Sequence, residues 1–175
     1  MAKKSEIAGP SDQKKDRLEK YSHVVGVAQL RAVQVTSVEF NVKPEFFSDE
    51  ADRSLGYVVI KGGQQFSHED CVAMAFIGFE VAAKTGRKKT LVCKAEYAVT
   101  YDNLVDCDEE ATMVFLNRVA VFACYPYFRS LFATLDWAAA TSLPPLPVHK
   151  EPAVKSPAEK GRMVAKSAPR KKVDN

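Results

Sequence analysis

The sequence predicts an α+β domain in which strands come first and helices last. Residues 24–101 are dominated by β-branched runs with period-two alternation, and residues 106–139 carry helical spacing. A lysine-rich turn separates the two strongest strand-like runs, as in a hairpin. A length of 175 residues with 46% hydrophobic content fits one domain of ordinary size with tails.

Residues 1–22 are lysine-rich and poor in large apolar side chains. They cannot bury enough surface to offset the entropy of ordering, and read as a disordered basic tail, or partly helical over residues 13–21. Over residues 24–42, Ala28, Leu30, Ala32, Val38, Phe40 and Val42 share one parity, opposite Gln29, Arg31, Ser37, Glu39 and Asn41. Val33 and Val35 break the alternation, which predicts a bulge or a strand covered on both faces. Residues 43–55 contain Pro44, the pair Phe46 and Phe47 and an acidic run, with neither period, so they form a connector with two rings to hide.

Residues 57–60 resume as a strand, Gly62 and Gly63 loosen it, and residues 71–83 are apolar on both parities, which implies cover on both faces. The polar turn over residues 84–90 should close a hairpin centred on Arg87, placing Glu80 opposite Lys94. Leu91, Cys93, Ala95, Tyr97, Val99 and Tyr101 then alternate cleanly.

Asp106 with Glu109 three residues later resembles a capping box. The helix that follows, up to Tyr125, is apolar nearly all round. In a chain of this size that predicts burial in an oligomer interface, with Phe115, Val119 and Phe122 as interface residues. Pro126 suits the first turn of a second helix, in which Phe128, Leu131, Phe132, Leu135, Ala138 and Ala139 form one buried face. Pro144, Pro145 and Pro147 then force an extended exit that lays Leu143 and Leu146 on a neighbouring surface. Residues 150–175 read as a second disordered basic tail, which leaves residues 23–149 as the folded domain. The formal charge of +3 sits in the tails: residues 1–22 contribute +2 and residues 150–175 contribute +5, leaving −4 for the core.

No apolar run reaches the roughly 18 residues of a spanning helix, and no apolar segment follows the first lysines, so a cytoplasmic protein without membrane insertion is expected. Cys71, Cys93, Cys107 and Cys124 lack metal or redox spacing and read as free thiols. His23, His68 and His149 form no metal motif, His68-Glu69-Asp70 reads as a solvated turn, and no phosphate loop or nucleophile elbow occurs. Neither a cofactor, a metal nor an enzymatic activity is expected. Arg87, Lys88 and Lys89 with the basic tails offer a nucleic-acid alternative, but no aromatic platform accompanies the charge. A small-molecule carrier is a further alternative, for which no residue speaks. What exceeds background is apolar surplus: Phe46, Phe47, Trp137, Leu143 and Leu146 suit a groove for extended apolar peptides, client residues being held largely by their backbone.

Tyr125-Pro126-Tyr127-Phe128-Arg129, followed by Leu143-Pro144-Pro145-Leu146, resembles the F/Y-P-Y-x-R helix start and P-P-L exit of the SecB family of export chaperones. The likeness spans roughly residues 24–148. It implies a four-stranded antiparallel sheet with C-terminal helices packed on one face, assembled as a homotetramer, a dimer of dimers. It further implies an ATP-independent holdase that binds unfolded preproteins in hydrophobic grooves, with Phe46 and Phe47 as groove lining. Ser37 and Asn41 stand where typical members present carboxylates to the SecA motor, and the tail is basic, so these positions argue against SecA as partner. SecB-like proteins also serve as antitoxin chaperones in toxin–antitoxin systems, the alternative the resemblance carries.

Overall fold

The computed structural model describes residues 10–48 and 53–150. In chain order these form α1 (Pro10–Val27), β1 (Gln29–Val42), α2 (Glu45–Ser48), β2 (Arg53–Ser67), β3 (Val72–Thr85), β4 (Lys88–Asp102) and α3 (Glu109–Ala138). The strands make one antiparallel sheet in the order β1-β4-β3-β2. Because β1 and β2 are the two edges, the segment carrying α2 must cross from one edge of the sheet to the other. The expected tails over residues 1–9 and 151–175, and the acidic residues 49–52, lie outside the described residues.

Residues 10–22, expected to be disordered or helical only in part, belong to α1. Its apolar content is too low to stabilise it alone, and tertiary contacts supply the difference. Val24 is fully buried, and Tyr21 and Val27 pack on the core. Asn103 Nδ2 donates to the Val27 carbonyl at 3.0 Å, and Lys20 Nζ lies 3.1 Å from Asp16 and 3.4 Å from Asp108.

The β3–β4 hairpin turns at Gly86-Arg87, with Gly86 at φ +58, a left-handed conformation that favours glycine. Glu80 does face Lys94 in register, as the sequence predicts. Its ion pair, however, goes to Lys89 at 2.6 Å, while Lys94 lies 3.5 Å from Glu39 on β1. The broken alternation of β1 has a definite cause: pairing slips between Leu30 and Ala32 and again between Val35 and Ser37. The two irregularities bring Leu30, Val33, Val35, Val38, Phe40 and Val42 opposite Tyr101, Val99, Tyr97, Ala95, Cys93 and Leu91. Opposed residues point to one face. The large apolar side chains of β1 therefore share the face on which α3 lies, and only Ala32, opposite Thr100, points the other way.

A single C-terminal helix covers that face, where two were expected. Its N-cap is Asp108, in extended conformation, whose carboxylate accepts from the Ala111 amide at 3.0 Å. Asp106, the expected cap, is left-handed at φ +53 and so lacks the extended backbone a cap requires. Pro126 lies inside the helix rather than at its start. A proline there costs roughly 3 kcal/mol, chiefly through the bond lost to the carbonyl four residues earlier. The turns on either side bury Tyr125, Phe128 and Phe132, each contributing about 1.5–3 kcal/mol. Packing outweighs the lost bond, and the helix runs through. This 30-residue helix is long and apolar enough by composition to cross a membrane, where no apolar run of that length was expected; half of its most apolar window is buried within this domain.

The core lies between sheet and α3. Phe79 stacks on Phe128 at 4.8 Å, with Tyr57, Tyr97 and Tyr125 around the pair. The opposite sheet face carries Val58, Ile60 and Phe76 exposed, so the expected cover on both faces of β3 is met on only one by the described residues.

Burial pushes the Cys93 thiol up to about 11 and the Cys124 thiol to about 12, from an ordinary 9.0, and Tyr97 and Tyr101 to about 12 from 10.0. Each group is held neutral in the fold and ionises more readily once unfolded. Their contribution is complete below the unfolded values and is lost as pH rises through the folded ones. The urea midpoint should thus fall between pH 9 and pH 12; a midpoint constant over that range would contradict the burial of these four groups.

Candidate functional site

The site is built where α3 leaves the sheet uncovered. The helix packs over β2, β3 and β4 and barely reaches β1. Leu30, Val35 and Val38 on the helix side of β1 are consequently exposed, with Val33, Phe40 and Val42 half-buried beside them. This makes an apolar shelf along one sheet edge.

The crossing segment bounds one end of the shelf. Lys43 donates its amide to the Thr90 carbonyl at 2.9 Å, which anchors α2 beside the start of β4. Within α2 the two rings part company. Phe46 is 1% exposed, with the Arg53 guanidinium 3.8 Å above its ring and also donating to the Phe46 carbonyl. Phe47 meets it edge-on at 5.3 Å and is 57% exposed.

The path of α3 brings its C-terminus to the same end of the sheet. Phe115 packs on Tyr101 at 5.0 Å, and Phe128 packs on Phe79 farther along β3. The last turns must continue toward Leu91 and α2. Trp137, in the final turn, is 84% exposed. Phe47 and Trp137 thus face water, as does the aliphatic shelf that runs along the β1 edge.

Beyond α3 the chain reverses. The Asp136 carboxylate accepts from the Thr141 hydroxyl and from the Leu143 amide, the latter at 3.0 Å. Leu146 is buried in the core, Leu143 packs half-buried against it, and Tyr125 donates its hydroxyl to the Pro147 carbonyl. This is the proline-bound exit that the sequence predicts.

The residues singled out in the sequence divide accordingly. Phe47 and Trp137 are available to a ligand, and Leu143 is partly so. Phe46 and Leu146, expected in a groove, are core residues, because each fills space beneath its own segment. Of the expected interface, Phe115 is also core; Val119 is half-buried and Phe122 exposed. Ser37 and Asn41 lie exposed on β1, paired with Glu96 and Val92. Leu30, Val35 and Val38 were not anticipated as a surface, although the break in alternation at Val33 and Val35 carried the signal.

A groove of about 630 Å³ also lies between α1 and α3. It is floored by Leu18, Tyr21 and Val114 and rimmed by charged side chains, including Arg17 and Glu110 at 3.8 Å. No cluster of metal-ligating side chains occurs among the described residues.

No known family model matches the chain, and no curated protein matches it. Among solved structures it is similar to a SecB-like chaperone of Mycobacterium tuberculosis in complex with a ChAD peptide from an antitoxin. The superposition has a TM-score of 0.60 at 17% identity and covers 77% of this chain and 99% of the other. The fold is SecB-like. At this identity the likeness speaks to architecture: a four-stranded antiparallel sheet with a C-terminal helix packed on one face.

Proposed function

We propose that this SecB-like chain is a non-enzymatic chaperone that binds unfolded polypeptide segments without ATP. The observation that carries the reading is the exposure of Phe47, of Trp137 and of the apolar shelf of β1. An isolated domain gains nothing by showing such surface to water, and extended apolar chains match it. Many weak contacts then make affinity grow with the length of client engaged.

In this reading the protein works in the cytoplasm as a homotetramer, assembled through the exposed side of α3 around Val119 and Phe122, and holds preproteins for export. Export through SecA is disfavoured by Ser37 and Asn41. The second reading, a chaperone dedicated to an antitoxin, is favoured by the antitoxin peptide bound to the similar mycobacterial structure.

The test is dilution of a chemically unfolded client into buffer with the full-length protein and no nucleotide. Light scattering should fall with increasing protein and level off near one client per oligomer. Undiminished aggregation at a large excess would sink the general chaperone reading and leave only the dedicated one. Removing residues 150–175 should leave this suppression intact; a loss accompanied by salt-dependent nucleic-acid binding would favour the nucleic-acid alternative instead.

A further inference from the structure

The four cysteines divide by burial and position in a way that isolates one pair. Cys93 and Cys124 are sealed in the core, Cys107 is 5% exposed, and Cys71 is half-buried. Cys71 ends the β2–β3 turn, and its carbonyl accepts the Leu104 amide at 3.1 Å, which fastens that turn to the segment between β4 and α3. Val105 and Asp106 then reverse the chain, Asp106 being left-handed at φ +53. A turn returns its fourth residue to within about 7 Å of its first, and Cys107 is fourth from Leu104. Two thiols far apart in sequence are thus carried to one junction. Burial raises the Cys107 thiol above its ordinary value, and the neighbouring Cys71 and Asp106 raise it further, an influence that acts only between close groups.

Three parts of the fold meet at this junction. Asp108, the N-cap of α3, follows Cys107 directly, and Lys20 of α1 lies 3.4 Å from its carboxylate. His23 of α1 lies 3.2 Å from the Val105 carbonyl through Nε2. On the strand side, Cys71 is left-handed at φ +52, and its thiol donates to the His68 carbonyl at 3.5 Å. Besides the Leu104 hydrogen bond, the β2–β3 turn meets α3 through an exposed His68–Glu109 pair at 3.9 Å, and such pairs hold weakly. A disulfide needs its Cα atoms within about 7 Å. Both cysteines sit on turns, which adjust more readily than strands.

We propose that Cys71 is an oxidation site for hydroperoxides, that Cys107 is its resolving thiol, and that the reversible disulfide between them clasps the β2–β3 turn to the start of α3. Cys71 is the thiol that solvent reaches, so it is oxidised first. Its sulfur takes one oxygen from the hydroperoxide, which leaves as an alcohol or water, and becomes a sulfenic acid. The Cys107 sulfur then attacks the Cys71 sulfur. The S–O bond breaks, and the hydroxyl leaves with the Cys107 proton as water. Two thiols are oxidised by two electrons and one hydroperoxide is reduced. Cys93 and Cys124, walled in by the core, take no part. The clasp stands independently of the chaperone reading.

The test treats the folded full-length protein with hydrogen peroxide, blocks remaining thiols in denaturant, and maps the digest by mass spectrometry. One peptide pair joining Cys71 to Cys107 is expected, with Cys93 and Cys124 blocked as free thiols and all four thiols restored by dithiothreitol. The bridge closes a long loop in the unfolded chain, so oxidation should raise the urea midpoint by roughly 1 M. Cys107→Ser should stop at the sulfenic acid on Cys71, trapped by dimedone, with no rise in midpoint. If that variant fails to fold, Cys71→Ser at the half-buried position serves instead, and should keep its three remaining thiols reduced under the same treatment. A link between the Cys71 residues of two chains, a Cys71 sulfinic acid with Cys107 still free, or an internal bridge that leaves the midpoint unchanged would each overturn the proposal.

Discussion

Phe128→Ala should lower the free energy of unfolding by about 3–5 kcal/mol. Phe128 is fully buried, stacks on Phe79 with 14° between ring planes, and lies within 6.4 Å of both Tyr57 and Phe132. Its removal opens a cavity between a rigid sheet and a long helix, neither of which can collapse into it. The aromatic pairing adds about 0.5–1.5 kcal/mol beyond burial. Against a total stability of about 5–15 kcal/mol, the variant would lie near the edge of folding. Tyr127→Ala, one residue away but exposed, should cost no more than about 0.5 kcal/mol. Urea unfolding followed by circular dichroism separates the two. A cost below about 1 kcal/mol for Phe128→Ala would contradict its place at the centre of the core.

Combining Phe47→Ser with Trp137→Ser should weaken binding of an unfolded client by more than about tenfold, because each ring contributes about 1.5–3 kcal/mol when it passes from water into a contact. Both rings are largely exposed, so unfolding should barely shift. Phe46→Ala should behave in the opposite way. That ring is buried beneath the Arg53 guanidinium, and its loss should cost about 3 kcal/mol of stability. Client affinity by fluorescence anisotropy, set beside the urea midpoint of each variant, resolves the contrast. If the double variant binds clients as the wild type does, the site lies elsewhere.

The adjacent residues Phe46 and Phe47 mark where sequence reasoning ends. Both were legible as rings needing a partner in a connector without period. Which one enters the core depends on how the crossing segment lands on β4, and the Lys43 to Thr90 hydrogen bond that sets this joins residues far apart in the chain. The same holds for α1, whose weak pattern is rescued by α3 and the loop before it. Pro126 marked a boundary in the sequence, and burial of its neighbours removed that boundary.

By itself the sequence determined what local chemistry controls: strands before helices, the hairpin register that sets Glu80 opposite Lys94, and a proline-bound exit laid on a neighbouring surface. The tertiary structure alone decided which apolar residues stay in water. Two slips of pairing turn every large apolar side chain of β1 to one face, and a single helix is too narrow to cover all four strands beneath it. Exposure is a property of what lies overhead, and period records only which way a side chain points.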